Sequence, residues 1–137
     1  PSKLALMQRA RDLGYKVYLY YVGTEDPSIN VQRVQEIRVK EGGHNVPKDK
    51  IIDRYYRSMD QLRAAIDLAY HTFLWDNSGI ESHLFWTHKK LPDGEQDWKI
   101  FMDHMPFWFV QYYLAHFPKN AQLKGQMELF QATRGIK

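Results

Sequence analysis

The chain opens on apolar residues at helical spacing, which predicts a helix from about Ser2 to Gly14. The residues that follow, 15–22, are apolar or aromatic on both faces and rich in Tyr and Val. Such a run is typical of an interior strand of a parallel sheet that helices cover on both sides. A helix, a tight turn and a buried strand together indicate an α/β fold.

The same patterns predict the elements that come later in the chain. Ser28 is predicted to cap a helix that stops at Gly42-Gly43, and Pro47 to open the next one. Leu91-Pro92-Asp93-Gly94 predicts a hairpin turn. The predicted elements are helices at about residues 28–41, 47–58, 60–68, 106–116 and 121–133, a strand at 72–75, and hairpin strands at 82–88 and 96–101.

Composition narrows the class of protein. A chain of 137 residues with 44% hydrophobic residues is sufficient for one domain with a core. Its apolar runs are much shorter than the roughly 20 residues of a membrane-spanning helix, so we expect a soluble protein without a membrane partner. Cysteine is absent, which is typical of a reducing compartment, and we expect the cytoplasm. The formal charge of +3 suits a small anionic ligand better than nucleic acid.

Basic residues cluster between the first two predicted strands. Arg54 and Arg57 share one face of a predicted helix, while Ile51 and Tyr55 form an apolar stripe on another. Two guanidinium groups so placed can bind a polyphosphate through bidentate, charge-assisted hydrogen bonds. The alternative is an ordinary solvated face, because Asp53 stands four residues before Arg57 in the orientation that favours an ion pair. Spacing alone leaves both interpretations open.

The segments that carry these arginines resemble a known family. The matching stretches are Tyr18-Leu19-Tyr20-Tyr21-Val22, Asn30-Val31-x-Arg33-Val34, Arg38-Val39, Gly42-Gly43-His44-x-Val46-Pro47-x-x-Lys50-Ile51, Arg54-Tyr55-x-Arg57-Ser58 and Asp76-Asn77-Ser78. They resemble the zeta-toxin-like family of P-loop kinases over residues 1–80, and the string from Gly42 to Ser58 is long enough to be specific.

The resemblance implies the fold and its division. It implies the carboxy-terminal part of a P-loop NTPase three-layer fold, in which helices flank a parallel sheet. Residues 1–80 would form the lid and core strands, and residues 81–137 a β-hairpin with a helical extension. The chain is accordingly expected to be a single incomplete domain, with ATP as the phosphoryl donor and a small hydroxyl-bearing molecule as the acceptor.

The resemblance also implies roles for four arginines. Arg54 and Arg57 would bind the phosphates as lid residues and stabilise charge in the transition state, so they are the expected catalytic residues. Arg33 and Arg38 would lie near the nucleotide at the base of the lid. Ile37 is an extra residue relative to the family's spacing, and one residue turns a helix by about 100°. Arg38 therefore departs from the family pattern.

Three further residues are implied at the nucleotide site. His44 would lie in the turn between the lid helices, and Asp76 and Asn77 at the carboxyl end of a strand, where α/β folds bind ligands. ATP and Mg²⁺ are implied only for the full-length protein. None of the eight glycines belongs to a G-x-x-x-x-G-K-S/T pattern, so we expect this chain to be inactive as a kinase by itself.

Other functions remain as alternatives. The kinase fold could serve a non-enzymatic protein that binds an antitoxin-like partner. Nucleic acid binding with Tyr55 and Tyr56 as stacking platforms is not expected, because no known binding motif accompanies them. No metal site is expected either, since His83 and His88 would face opposite sides of a strand. In an incomplete domain, the surfaces that the absent part would cover are exposed, and we expect them to cause self-association or domain exchange. The aromatic helix at 106–116 is predicted to be core.

Overall fold

The computed structural model describes residues 2–42, 46–100 and 105–116. These residues form four helices, four strands and one 3₁₀ turn. They are α1 (Lys3–Asp12), β1 (Tyr18–Gly23), α2 (Pro27–Lys40), α3 (Lys48–Leu68), β2 (His71–Asp76), β3 (His83–Lys90), β4 (Gln96–Ile100), α4 (Phe107–Tyr112) and a 3₁₀ turn (Leu114–His116). The helix predicted at 121–133 lies outside the described residues.

The four strands form one sheet in the order β1-β2-β3-β4. β1 and β2 are parallel and are joined by α2 and α3, whereas β2, β3 and β4 are successively antiparallel. The α/β class and the hairpin are therefore confirmed. The sheet is mixed rather than purely parallel, because short loops connect its last three strands without a crossover helix.

The helix predicted in two pieces around Ser58 is one continuous helix, α3. The prediction ended one helix at about Ser58 and began another at Asp60. Met59 between them is only 1% exposed and continues the apolar stripe of α3, whose buried residues are Ile51, Tyr55, Met59, Leu62, Ala65 and Ile66. Burial of this stripe contributes more than the small propensity cost of two polar residues.

The first turn of α2 also differs from the prediction. Asp26, not Ser28, is the N-cap, and its Oδ1 accepts a hydrogen bond from the Ser28 backbone N–H at 2.7 Å. This hydrogen bond lowers the pKa of the Asp26 carboxyl. Pro27 takes the first helical position, where its missing N–H costs nothing.

An aromatic core fills the space between the sheet, α3 and α4. Phe85 and Trp86 on β3 and Trp108 and Phe109 on α4 are each at most 1% exposed. The prediction that the aromatic helix is core is thus confirmed for its buried side. Phe107, at 67% exposure, is the exception on the outer side of α4.

One face of β1 is open to solvent, which corrects the prediction that this strand is buried on both faces. Tyr18, Tyr20 and Val22 are 52%, 63% and 55% exposed. Phe73 and Trp75 of β2 lie on the same side, and their rings stack with Tyr20 at centroid distances of 4.9 and 5.8 Å. We call these five residues the open face.

His88 on β3 is expected to make folding depend on pH. It is 3% exposed, and burial lowers the pKa of its imidazole from 6.5 to about 4, although the contact with Gln96 partly offsets this effect. Protonation therefore favours the unfolded chain. As far as His88 is concerned, the free energy of unfolding should have its highest value above pH 6.5. It should fall by up to about 1.4 kcal/mol per pH unit as the pH is lowered toward 4.

Urea denaturation at several pH values measures this effect. His88→Gln should flatten the profile between pH 4 and 6.5, whereas His83→Gln, at an exposed position, should leave it unchanged. A profile that His88→Gln does not alter would show that another group carries the pH dependence.

Candidate functional site

A cavity of about 320 Å³ lies at the carboxyl end of β1, between α2 and α3. This is the end of a parallel strand, where the turn to the next helix leaves room for ligands in α/β folds. Residues of all three elements line it: Tyr21, Val22, Gly23, Thr24, Asn30, Val34, Ile51, Arg54, Tyr55, Ser58 and Met59.

Arg54 is the only charged residue among the described residues that line this cavity. It projects from α3 one position before buried Tyr55, so that packing of the apolar stripe fixes the helix while the guanidinium stays exposed. Within the described part of the chain, no ion pair or side-chain hydrogen bond engages Arg54. A free, exposed guanidinium at the mouth of a cavity can accept an anionic group with little competition.

Hydrogen bonds of two tyrosine hydroxyl groups hold the wall of the cavity. The Tyr55 hydroxyl donates to the Thr24 carbonyl at 2.6 Å, which ties α3 to the end of β1. The Tyr21 hydroxyl and Ser58 Oγ are 3.0 Å apart and form a second link. Burial raises the pKa of both tyrosines, so their phenols are neutral at physiological pH and are not bases there.

The loop after β1 adds an amide to this wall. Thr24 Oγ1 donates to Asn30 Oδ1 at 2.5 Å, so the Asn30 side chain is oriented with its amide nitrogen outside that bond. Thr24 itself is 5% exposed. Neither residue was predicted as a site residue, although a polar residue directly after a parallel strand is a signal that could have indicated Thr24.

Arg33 does not line the cavity but holds the loop after β2. Its Nη1 donates to the Asn77 carbonyl at 2.5 Å and its Nη2 to the Gly79 carbonyl at 2.8 Å. The guanidinium thus holds the loop after β2 against α2. This is a positioning role, because both donor edges are directed at backbone oxygens.

Asp76 and Asn77 lie at the carboxyl end of β2, beside the end of β1. Asp76 is 7% exposed, and its Oδ1 accepts hydrogen bonds from Ser78 Oγ at 2.7 Å and from Trp108 Nε1 at 3.1 Å. The Asn77 backbone N–H donates to the Gly23 carbonyl at 2.8 Å. These groups build the edge of the sheet on which the cavity opens, but they do not line the cavity.

The remaining predicted residues are not brought together with Arg54. Arg57 and Arg38 are exposed and lie outside the cavity lining, and Ile37 next to Arg38 is 54% exposed. His44 lies outside the described residues. The ion pair considered between Asp53 and Arg57 does not occur in the described part of the chain.

Glu25 has a role that no local pattern indicated. Its carboxylate accepts hydrogen bonds from the backbone N–H groups of Phe107 at 2.8 Å and Trp108 at 3.3 Å. It therefore caps α4, a helix far along the chain. A carboxylate is favourable there because the first N–H groups of a helix have no partner within the helix.

The residues at and beside the cavity fit the phosphates of ATP better than they fit Mg²⁺. Arg54 and the cavity fit a phosphate-bearing molecule. For Mg²⁺, the described residues contain no group of three or more His, Asp or Glu side chains that could hold a metal ion. Asp76, the buried carboxylate at the sheet edge, already accepts two hydrogen bonds through Oδ1. The described residues alone therefore do not form a magnesium site.

Comparison with protein-family models, with curated proteins and with solved structures finds no match for this chain. The resemblance to zeta-toxin-like kinases accordingly rests on the sequence motifs alone. Among the described helices, none combines the length and the apolar character needed to cross a membrane.

Proposed function

We propose that this chain is the carboxy-terminal part of an ATP-dependent small-molecule kinase, in which Arg54 binds a phosphate group of the nucleotide. The observation that supports this most directly is the guanidinium of Arg54, which has no partner among the described residues and lies at a cavity beside the carboxyl end of β1. The sequence motifs that resemble zeta-toxin-like kinases point to the same arginine.

In the proposed chemistry the cavity has two roles, which are to stabilise negative charge and to exclude water. ATP, when bound, would supply the phosphoryl group. Arg54 would stabilise the negative charge on the phosphate oxygens, and a fixed cation does so most strongly as that charge develops in the transition state. The apolar side chains of Val34 and Ile51 in the cavity wall would limit the access of water.

Arg57 extends the proposal along α3. It follows Arg54 by three residues, so that both project from neighbouring positions on the helix, with Arg57 farther from the cavity. We expect Arg54 to contribute more to binding than Arg57, because only Arg54 lines the cavity.

Titration of the chain with ATP, followed by calorimetry, tests the proposal. Arg54→Ala removes a charged donor to phosphate, which is worth about 1.5–3 kcal/mol, so the affinity should fall about ten- to hundredfold. Arg57→Ala should have a smaller effect. Inorganic triphosphate in place of ATP should show the same order of effects, because the contact is to phosphate.

Arg9→Ala is the matched control, since Arg9 is an exposed arginine in the last turn of α1. It should leave the affinity unchanged, and circular dichroism should show that all three variants fold. A measurable ATP affinity that is equal in the native chain, Arg9→Ala and Arg54→Ala would rule out the proposed phosphate contact.

A further inference from the structure

Four hydroxyl groups line the cavity, and the hydrogen of each is used inside its wall. The Ser58 hydroxyl donates to the Tyr55 carbonyl at 2.9 Å, so the hydrogen between Ser58 and Tyr21 comes from Tyr21. The Tyr55 hydroxyl donates to the Thr24 carbonyl, and the Thr24 hydroxyl donates to Asn30 Oδ1. Because a hydroxyl has a single hydrogen, none of the four is left to donate to a ligand.

Two other side chains at the cavity keep N–H groups that have no partner among the described residues. One is the Arg54 guanidinium. The other is the amide nitrogen of Asn30, because the only hydrogen bond of this side chain within the described residues is made by its oxygen. The side-chain hydrogens that the cavity offers to a ligand therefore all belong to Asn30 and Arg54. Such donors fit phosphate, whose oxygens are mostly deprotonated at neutral pH and accept charge-assisted hydrogen bonds.

Thr24 determines which end of the Asn30 amide is available. It follows β1 directly and is 5% exposed. Its carbonyl accepts from Tyr55 of α3 at 2.6 Å, and its hydroxyl donates to Asn30 of α2 at 2.5 Å, so it connects both helices to the end of β1. An amide without this bond could present either its oxygen or its nitrogen to a ligand. With the bond in place, the nitrogen is the end that remains.

We propose that Asn30 is a second phosphate-binding residue of this cavity, that it donates through its amide nitrogen, and that Thr24 positions it. The proposal rests on the proposed function, because the charge of Arg54 is what attracts phosphate to the cavity. A volume of about 320 Å³ is near the lower end for ligand sites, so one small ligand that fills the cavity contacts both donors. A polyphosphate has enough oxygens to accept from both residues at once.

Calorimetric titration of the chain with inorganic triphosphate tests the role of Asn30. Asn30→Ala removes the donor, so the affinity should fall about tenfold. Asn30→Asp keeps the oxygen that accepts from Thr24 but replaces the amide nitrogen with a charged oxygen, which repels phosphate. We expect this variant to lose at least about thirtyfold in affinity.

Gln35→Glu is the matched control for Asn30→Asp. It makes the same change from amide to carboxylate at an exposed residue of α2 that does not line the cavity. Its effect on the affinity for triphosphate should be less than about twofold, because solvent and salt screen exposed charges. Equal losses in the two variants would mean that the added charge, and not the lost donor, weakens binding, and would overturn the role of Asn30.

Two substitutions at Thr24 distinguish positioning of Asn30 from a purely structural role. Thr24→Val removes the hydroxyl but keeps the shape of the side chain, and should lower the affinity for triphosphate about threefold. Thr24→Ser keeps the hydroxyl and should bind like the native chain. In the Asn30→Ala background, Thr24→Val should cause no further loss, because the group that Thr24 positions is gone. A loss of the same size in that background would overturn the positioning role.

Circular dichroism should show that all variants fold, and the Asn30 variants decide the proposal even if Thr24→Val does not. An affinity that Arg54→Ala lowers but Asn30→Ala and Asn30→Asp leave unchanged would overturn this inference while the proposed function stands. A native chain that does not bind triphosphate at about 1 mM would overturn the inference as well.

Discussion

Trp108→Ala is expected to lower the free energy of unfolding by about 3–5 kcal/mol, the usual range when a buried large aromatic side chain is deleted. Trp108 is 1% exposed and packs against Tyr21 at 5.8 Å and Phe85 at 5.4 Å between ring centroids. The substitution also removes the hydrogen bond from its Nε1 to Asp76, a buried carboxylate. The loss therefore combines a cavity with a less satisfied buried acceptor.

Urea denaturation followed by circular dichroism measures this loss. Phe107→Ala is the matched control, because Phe107 is the next residue, belongs to the same helix and is 67% exposed. It should change the free energy of unfolding by less than about 0.5 kcal/mol. Equal effects of the two substitutions would mean that α4 does not pack on the sheet as described.

Gly23→Val is expected to destabilise the fold by about 3 kcal/mol, at the upper end of the range for overpacking. A Cβ atom at Gly23 would lie 2.5 Å from Cζ2 of the Trp108 indole, with two more ring atoms within 2.8 Å. Real Cβ atoms do not approach so closely, so the indole or the end of β1 must shift. The reason is steric and does not involve the backbone conformation of Gly23.

Gly79→Val is the control for this prediction, since a Cβ atom there meets nothing within 4 Å. Its effect should be small. A double-mutant cycle adds a sharper test: in the Trp108→Ala background, Gly23→Val should cost less than in the native chain. Purely additive losses would contradict the proposed contact between Gly23 and the indole.

Local sequence patterns predicted most of the described helices and strands, because each depends on neighbours within a few residues. The apolar stripe of α3 is an example, although its predicted break at Ser58 was wrong. Local patterns of this kind could not predict that one face of β1 is exposed to solvent. A run with apolar residues on both faces shows that each face can be buried, but not whether another part of the molecule lies against it.

The candidate site could be predicted only in part for a similar reason. Spacing and resemblance indicated Arg54, which does line the cavity. They also indicated Arg33, whose hydrogen bonds to the Asn77 and Gly79 carbonyls depend on how α2 packs beside β2. Likewise, Glu25 caps α4 only because the chain folds back to the end of β1. Contacts between distant segments carry no local signature.

The parallel pairing of β1 with β2 also has a kinetic consequence. The whole of α2 and α3 separates these strands in the chain, whereas a short turn joins β3 to β4. Closing the longer segment costs more chain entropy before any ladder hydrogen bond forms. Long-range pairings of this kind slow folding, so docking of β1 is the step in which we expect the main barrier of this domain to lie.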